Sequence, residues 1–314
     1  MTHSDAGPPR RRGAVARTEV TFESGDAWCA GWLYRPTDSG EDIPCVVMAH
    51  GFSLTRHDGL ASYAETLAAA GTAVLVYDHR RIGDSGGQPR QLIRLRPQLE
   101  DRRSAIAHAR SIPGIDPDRI VVWGYSLSGG SAVQAAATDP RLAGAILMCP
   151  MLDGALRAFN TLKSDPRNIA WLIMQSVRDW IGSTHIPVTG PSGMHSMLSL
   201  PGEADGLSSM IGAGSPWRKD VRAGPFLTWA LHRPVRNAHK VACPVLIQIG
   251  RRDISAPVRA AQRFVARSQR TTLDSYDVDH FEPFSEPVAA EMAADQAAWL
   301  TRTVIAAGAA GSTE

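Results

Sequence analysis

The stretch Ile120-Val121-Val122-Trp123-Gly124-Tyr125-Ser126-Leu127-Ser128-Gly129-Gly130 decides how the rest of the chain is read. An apolar run stops at a glycine, and a serine follows two residues later. Small residues then open an alanine-rich helical stretch, Ser131 to Ala137. Strand, sharp turn and helix with a serine at the tip form a nucleophile elbow. The serine of such a turn sits at a strained backbone position. The residues two before and two after it must therefore be small, so that strand and helix can approach. Here they are Gly124 and Ser128, where the usual pattern has glycine at both.

Outward from the elbow, buried strands alternate with helices. Val15 to Phe22 and Ala27 to Tyr34 flank the turn signal Ser24-Gly25-Asp26 and read as a hairpin. Cys45 to Ala49, Thr72 to Tyr77, Leu142 to Met148 and Val241 to Ile249 are apolar strands, and Thr271 to Tyr276 is a more polar last one. Helices are expected over Gly59 to Ala70, Pro97 to Ser111 and Pro287 to Ile305, the second with a polar face carrying Arg102, Arg103 and Arg110. Continuously apolar strands between helices imply α/β architecture, a mostly parallel sheet covered on both faces. Ligands of such sheets bind beyond the carboxyl ends of the strands.

Between Pro150 and Lys240 the alternation stops. This stretch holds four of the eight Trp (Trp171, Trp180, Trp217, Trp229) and five of the nine Met. It reads as a mainly helical cap inserted at 150–240 between two strands of a core formed by 18–149 and 241–310. Its tryptophans are candidates to line an acyl pocket, with cap packing as the competing role.

A serine hydroxyl needs a base, and the base needs an orienting acid. Asp253 follows the strand ending at Ile249, and His280 follows the last strand. Ser126, Asp253 and His280 thus appear in the chain order this chemistry takes on such a sheet. An oxyanion needs two amide donors. The amide of Leu127 is one, and the His50-Gly51-Phe52 turn offers the Phe52 amide as the other, with His50 structural. Gly83-Asp84-Ser85-Gly86-Gly87 spells a second serine motif, but Ser85 follows a strand that already has its place in the order. Ser128 lacks a glycine two residues before it. Asp153 stands as an alternative acid. Asp279 and Glu282 flank His280, but immediate neighbours rarely point back at the ring. Arg56 and His57 are candidates for a polar substrate group or for structural ion pairs.

These residues resemble those of α/β-hydrolases, and more narrowly the bacterial hydrolases near the dienelactone hydrolase and S15 peptidase groups. The resemblance rests on His50-Gly51-Phe52 with Arg56, Tyr77-Asp78-His79-Arg80 with Gly83-Asp84-Ser85, Gly124 to Gly130, Asp253 with Pro257, and Asp279-His280-Phe281. It implies a serine hydrolase that needs no metal or cofactor and acts through Ser126, Asp253 and His280. It fixes the substrate only weakly, because one fold hosts many functions. The reading is a carboxylic ester with a hydrophobic or bulky acyl group, with a thioesterase, a lactone-opening or lactone-forming enzyme, an acyltransferase, a peptidase or a non-catalytic binding protein as alternatives.

Composition sets the remaining bounds. The 314 residues are 44% hydrophobic and 20% charged, ordinary for a globular protein. No apolar run approaches the roughly 20 residues of a membrane span. Residues 1–17 read as a disordered basic arm with Arg10, Arg11 and Arg12 but no apolar segment of a secretion signal. That arm accounts for the formal net charge of +2, leaving a near-neutral body with no call for nucleic acid. Cys29, Cys45, Cys149 and Cys243 show no metal-ligand spacing and read as reduced, hence a cytoplasmic setting. The expected partner is a small acyl substrate, and oligomeric state is left open.

Overall fold

The computed structural model describes residues 14–306 except Ser192. Most of the expected basic arm lies outside these residues, but its last part does not. Strand β1 (Val15–Ser24) already includes Val15 to Arg17 and pairs with β2 (Ala27–Pro36) as an antiparallel hairpin. Then follow β3 (Ile43–Ala49), α1 (Leu60–Ala69), β4 (Ala73–Tyr77), α2 (Leu95–Ser111), β5 (Ile115–Tyr125), α3 (Leu127–Ala136) and β6 (Leu142–Met148). The stretch after β6 contains α4 (Gly154–Ser164), α5 (Pro166–Ile181), β7 (His185–Pro187), α6 (Glu203–Met210), β8 (Asp220–Arg222) and α7 (Phe226–Trp229), then a 3₁₀ turn over Pro234–Lys240. The chain closes with β9 (Val245–Gly250), α8 (Val258–Val265), β10 (Thr271–Tyr276) and α9 (Val288–Leu300), which continues as a looser π-helical turn to Ile305.

Eight strands form one sheet in the order β1-β2-β4-β3-β5-β6-β9-β10. The six from β4 to β10 run parallel, and the β1–β2 hairpin joins them antiparallel through β2. Residue alternation divides the core. Val46 and Met48 of β3 face α1 and α9 together with Val121, Trp123 and Ile146. Cys45, Val47 and Ala49 face the other side, with Val122, Leu147 and the apolar residues of α2, α3 and α8. A strand buried on both faces has to be apolar throughout, which is why these strands show no alternation in sequence.

Two expected boundaries move. The elbow strand extends back to Ile115, through residues whose Pro113-Gly114 and Asp-Pro-Asp pattern reads as a turn. The next core strand starts at Val245 rather than Val241, because Pro244 has no amide for the ladder.

Register brings the chain ends of the central strands together. Ala49 pairs with Gly124, Tyr125 with Met148, and Met148 with Gln248. Loops leaving β3, β5, β9 and β10 therefore emerge along one edge, and these loops hold Phe52, Ser126, Asp253 and His280. Between β6 and β9 the described residues hold helices α4 to α7, the β7–β8 ribbon and loops. All four cysteines are free and buried. Among the described residues no helix is long and apolar enough to cross a membrane.

The junction of β5 and α3 allows no side chain at Gly124. A Cβ there would lie 2.5 Å from the Ser128 carbonyl oxygen and 2.6 Å from the Gly129 nitrogen, both main-chain atoms. Gly124→Ala is expected to lower unfolding free energy by about 2–4 kcal/mol, in the range of a forced backbone shift. Chemical denaturation checks this, and an unchanged midpoint would remove the steric argument.

Candidate active site

Ser126 lies between β5 and α3 at φ 53°, ψ −119°, a conformation L-residues rarely adopt. Its neighbours hold it there. The Ser126 amide donates to Met148 O at 3.1 Å, and its carbonyl accepts from Gly129 N at 3.0 Å and Met151 N at 2.8 Å. Ser128, which replaces the usual glycine, makes two further ties. Its Oγ accepts from Tyr125 N at 3.0 Å and lies 2.6 Å from Ala49 O, to which it donates. The hydroxyl thus joins the elbow to the end of β3, immediately before the His50-Gly51-Phe52 turn. Its hydrogen-bonding capacity is thus taken up by main-chain groups.

A further brace comes from α2. Arg102, expected on a polar face, is fully buried. Its guanidinium donates to Ser131 Oγ at 2.9 Å, Trp123 O at 3.0 Å and Ser128 O at 3.1 Å. Among the described residues it has no carboxylate partner, and burial lowers its pKa. All three acceptors belong to the elbow, so the side chain grips the strand, the turn and the helix from behind.

The structure brings the three distant candidates together. His280 Nε2 is 3.0 Å from Ser126 Oγ, and His280 Nδ1 is 2.7 Å from Asp253 Oδ2. The other oxygen of Asp253 accepts from Ser255 N at 2.8 Å and Ala256 N at 2.7 Å. The acid is therefore fixed on both sides. Tyr125 secures the histidine loop: its OH donates to His280 O at 2.8 Å, and its ring lies 5.0 Å from the imidazole. All three candidates are buried, Ser126 with 9% exposure. Such a chain can draw the serine proton onto imidazole while a carboxylate holds the ring in the required tautomer.

Leu127 and Phe52, expected as oxyanion donors, line the same cavity as Ser126. Among the described residues neither amide makes a main-chain hydrogen bond. The Gly51 amide is already engaged, donating to His50 Nδ1 at 2.8 Å, while His50 Nε2 donates to Asp58 O at 2.6 Å. His50 is thus the structural pivot of the turn. Gly51 is required for close approach, since a Cβ would lie 3.0 Å from the Ser126 Cβ.

The rivals have other work. Ser85 Oγ donates to Asp78 O at 2.7 Å and accepts from Ala30 N at 2.9 Å. Asp153 caps α4 and forms a two-pronged pair with Arg233 at 2.9 and 2.8 Å. Asp279 and Glu282 cap each other's turn through main-chain amides. Arg56 is buried against Asp78 and the Trp32 ring, and His57 Nε2 meets Asp84 at 2.8 Å. Neither Arg56 nor His57 lines the cavity beside Ser126. Cys149, Asp253 and His280 do cluster within 4.8 Å, a spacing a metal could use. His280 and Asp253 already spend those atoms on each other, and burial raises the Cys149 thiol well above its usual range, against the thiolate a metal needs.

The cavity beside Ser126 has a volume of about 280 Å³. It is lined by Phe52, Leu127 and His280 from the core and by Leu172, Met197 and Phe226 from the inserted stretch, among others. Of the four tryptophans singled out, only Trp229 lines it. Trp171 stacks on His195, Trp217 donates to Ser53 Oγ, and Trp180 is 75% exposed. Outward-facing apolar residues of α5 look like pocket formers in sequence, because periodicity does not say which way a stripe faces.

Sequence reasoning also missed a link from residues 150–240 to Asp253. Glu203, at the start of α6, is buried and accepts from Arg157 at 2.8 and 3.1 Å, Leu200 N at 2.9 Å and Ser255 Oγ at 2.5 Å. Ser255 in turn donates its amide to Asp253. A continuous set of bonds therefore runs from Arg157 on α4 to Ser126. A glutamate in the run Pro201-Gly202-Glu203-Ala204-Asp205-Gly206 carries no signal for this.

Fold and site together define an α/β-hydrolase. The family model for serine aminopeptidases (S33) matches residues 41–286, and the chain belongs to that family. It is 36% identical over 300 residues to the quorum-quenching protein AidA of Acinetobacter baumannii, covering 92% of this chain and 96% of that one. It is 40% identical over 141 residues to the thiohydrolase aneE of Aspergillus aculeatus, 45% of this chain and 43% of that one. The crystal structure of the α/β hydrolase GrgF from Penicillium sp. superposes with a TM-score of 0.75 at 22% identity, covering 92% of this chain and 99% of that one.

Burial pushes the His50 pKa down to about 4. The group is lowered on folding, so its neutral form contributes stability above the unfolded value near 6.5. That contribution is lost as pH falls through 4, when protonation of Nδ1 breaks the bond from Gly51 N. Asp78, pushed up to about 6 by burial, works in the opposite direction: its contribution is present at low pH and lost as pH rises through 6. Thermal unfolding should therefore show a midpoint that falls between pH 6.5 and 4 less steeply in His50→Gln than in the wild type. Parallel curves for the two proteins would contradict this role.

Proposed function

We propose that the protein is a serine hydrolase that cleaves a carboxylic ester with an apolar acyl group through an acyl-Ser126 intermediate. The observation that carries this reading is the unbroken hydrogen-bonded chain from Asp253 through His280 to Ser126, opening on an apolar cavity. Ser126 Oγ attacks the ester carbonyl while His280 Nε2 takes its proton. The carbonyl oxygen becomes an oxyanion between the amides of Leu127 and Phe52, which have no other main-chain partner to give up. Collapse of this intermediate expels the alcohol, protonated by His280. Water, deprotonated by the same ring, then attacks the acyl-enzyme and releases the acid, restoring Ser126. Asp253 holds the imidazole in the required tautomer throughout. Residues 150–240 act as the cap that selects the acyl group, since they supply most of the apolar lining. No metal or cofactor enters these steps.

A thioester donor is the second reading. It is favoured by the relative named a thiohydrolase, whose match covers part of the chain. The acyl-serine chemistry is the same, and only the leaving group changes. Parallel assays of one acyl group as p-nitrophenyl ester and as thioester separate the two.

Ser126→Ala is expected to cut kcat for a medium-chain p-nitrophenyl ester by roughly 10⁴ to 10⁶ while the fold is retained. Steady-state kinetics beside circular dichroism tests this. A variant with near-wild-type turnover would end the assignment.

A further inference from the structure

Helix α5 is built the wrong way round for a helix at the surface. A solvated helix turns its polar side out and its apolar stripe in. Of the five buried residues of α5, four are polar: Asn168, Gln175, Ser176 and Asp179. Asn168 Nδ2 donates to Ser196 O and to Ser199 Oγ, both at 2.9 Å, and Ser176 Oγ donates to Ala223 O at 2.9 Å. Asp179 accepts from Arg222 Nε at 2.7 Å and from Gly224 N at 3.0 Å. Hydrogen bonds to the rest of the inserted stretch thus hold the inward face.

The outward face is apolar. Ile173, Met174, Val177, Trp180 and Ile181 are all exposed, Trp180 at 75% and Ile181 at 89%. At 3.6 residues per turn they fall within an arc of roughly 120°. A contiguous apolar face of this kind on a folded domain marks a surface that something covers.

The charges beside the arc are of one sign. Arg167 and Arg178 are exposed. Helical spacing puts both on one border of the arc, about 16 Å apart along the axis. Lys163, at the end of α4, is exposed too, with its ammonium 4.5 Å from the centroid of the exposed Phe159 ring. From Asp165 to Ile181 the chain has two carboxylates, and both are engaged: Asp165 caps α5 through Asn168 N at 3.0 Å, and Asp179 is buried against Arg222. The face therefore sets apolar side chains beside a row of cations. A second copy of the same face would bring like charges together. Anionic headgroups over an acyl layer match both parts, since apolar side chains enter the acyl boundary while arginines stay at headgroup level. A tryptophan at the end of the face suits the same boundary.

We propose that the outward arc of α5 docks on an anionic lipid surface. Ile173 connects that surface to the cavity beside Ser126: it is 44% exposed and also lines the cavity. The docked face thus adjoins the space where an apolar compound would be held. Docking itself does not depend on the chemistry at Ser126.

Co-sedimentation with vesicles tests this, using phosphatidylcholine alone and phosphatidylcholine mixed with phosphatidylglycerol. The proteins are wild type, Trp180→Ser/Ile181→Ser and Arg167→Gln/Arg178→Gln, with circular dichroism to check folding. Wild type should partition to the mixed vesicles about tenfold more strongly than to phosphatidylcholine. On mixed vesicles the apolar variant should lose on the order of tenfold, and the arginine variant a similar factor. Wild type that stays in solution beside mixed vesicles overturns the proposal. Equal partition to the two vesicle types, or binding that survives in both variants, overturns it as well. Sedimentation velocity without lipid examines the rival occupant. A wild-type dimer that Trp180→Ser/Ile181→Ser converts to monomer assigns the face to a second copy and overturns the lipid surface; a wild-type monomer is the expected result.

Discussion

The structure depends on holding one serine in a backbone conformation it would not choose. Ser126 at φ 53° is placed by a strand that stops and a helix that starts within two residues. Such a position persists only where the surroundings over-determine it. Here they do so from three sides. Gly124 lets the main chains of β5 and α3 touch. Ser128 Oγ ties the turn to the end of β3. Arg102 fixes the carbonyls of Trp123 and Ser128 from behind. A buried charge with only neutral partners carries a desolvation cost. Its presence here is intelligible as a brace for main-chain acceptors that no apolar side chain could satisfy.

The same logic reaches the other candidate groups. Tyr125, inside the elbow, bonds the main chain of His280, so the histidine loop is referenced to the nucleophile turn. Asp253 is held by the amides of its own loop, and that loop is held by Ser255 to Glu203 of the inserted stretch. The geometry near Ser126 therefore depends on how residues 150–240 seat. Residues 150–240, which line much of the cavity beside Ser126, are thus also tied to the loop that holds Asp253.

Much of this was legible in the sequence for a physical reason. A two-sided parallel sheet demands continuous apolar strands, and its site lies at strand ends, so Ser126, Asp253 and His280 could be read from where each strand stops. The Phe52 turn was legible because a glycine follows a histidine directly after β3. What could not be read depends on side-chain direction in three dimensions. Arg102 on a helix reads as solvated, yet it faces inward to three acceptors. Trp180 reads as a pocket residue, yet it points outward. Glu203 has no apolar pattern around it to suggest burial, yet it is nearly inaccessible. Burial of a polar side chain is decided by partners distant in sequence, and no periodicity encodes them.

The central claim is that Ser126, His280 and the amides of Leu127 and Phe52 act on one carbonyl. A crystal structure of the protein after reaction with an alkyl fluorophosphonate tests it most directly. The account predicts a phosphonyl group on Ser126 Oγ, with its oxygen about 2.7–3.1 Å from both amide nitrogens. A phosphonyl group on another residue, or an oxygen turned away from both amides, would contradict it.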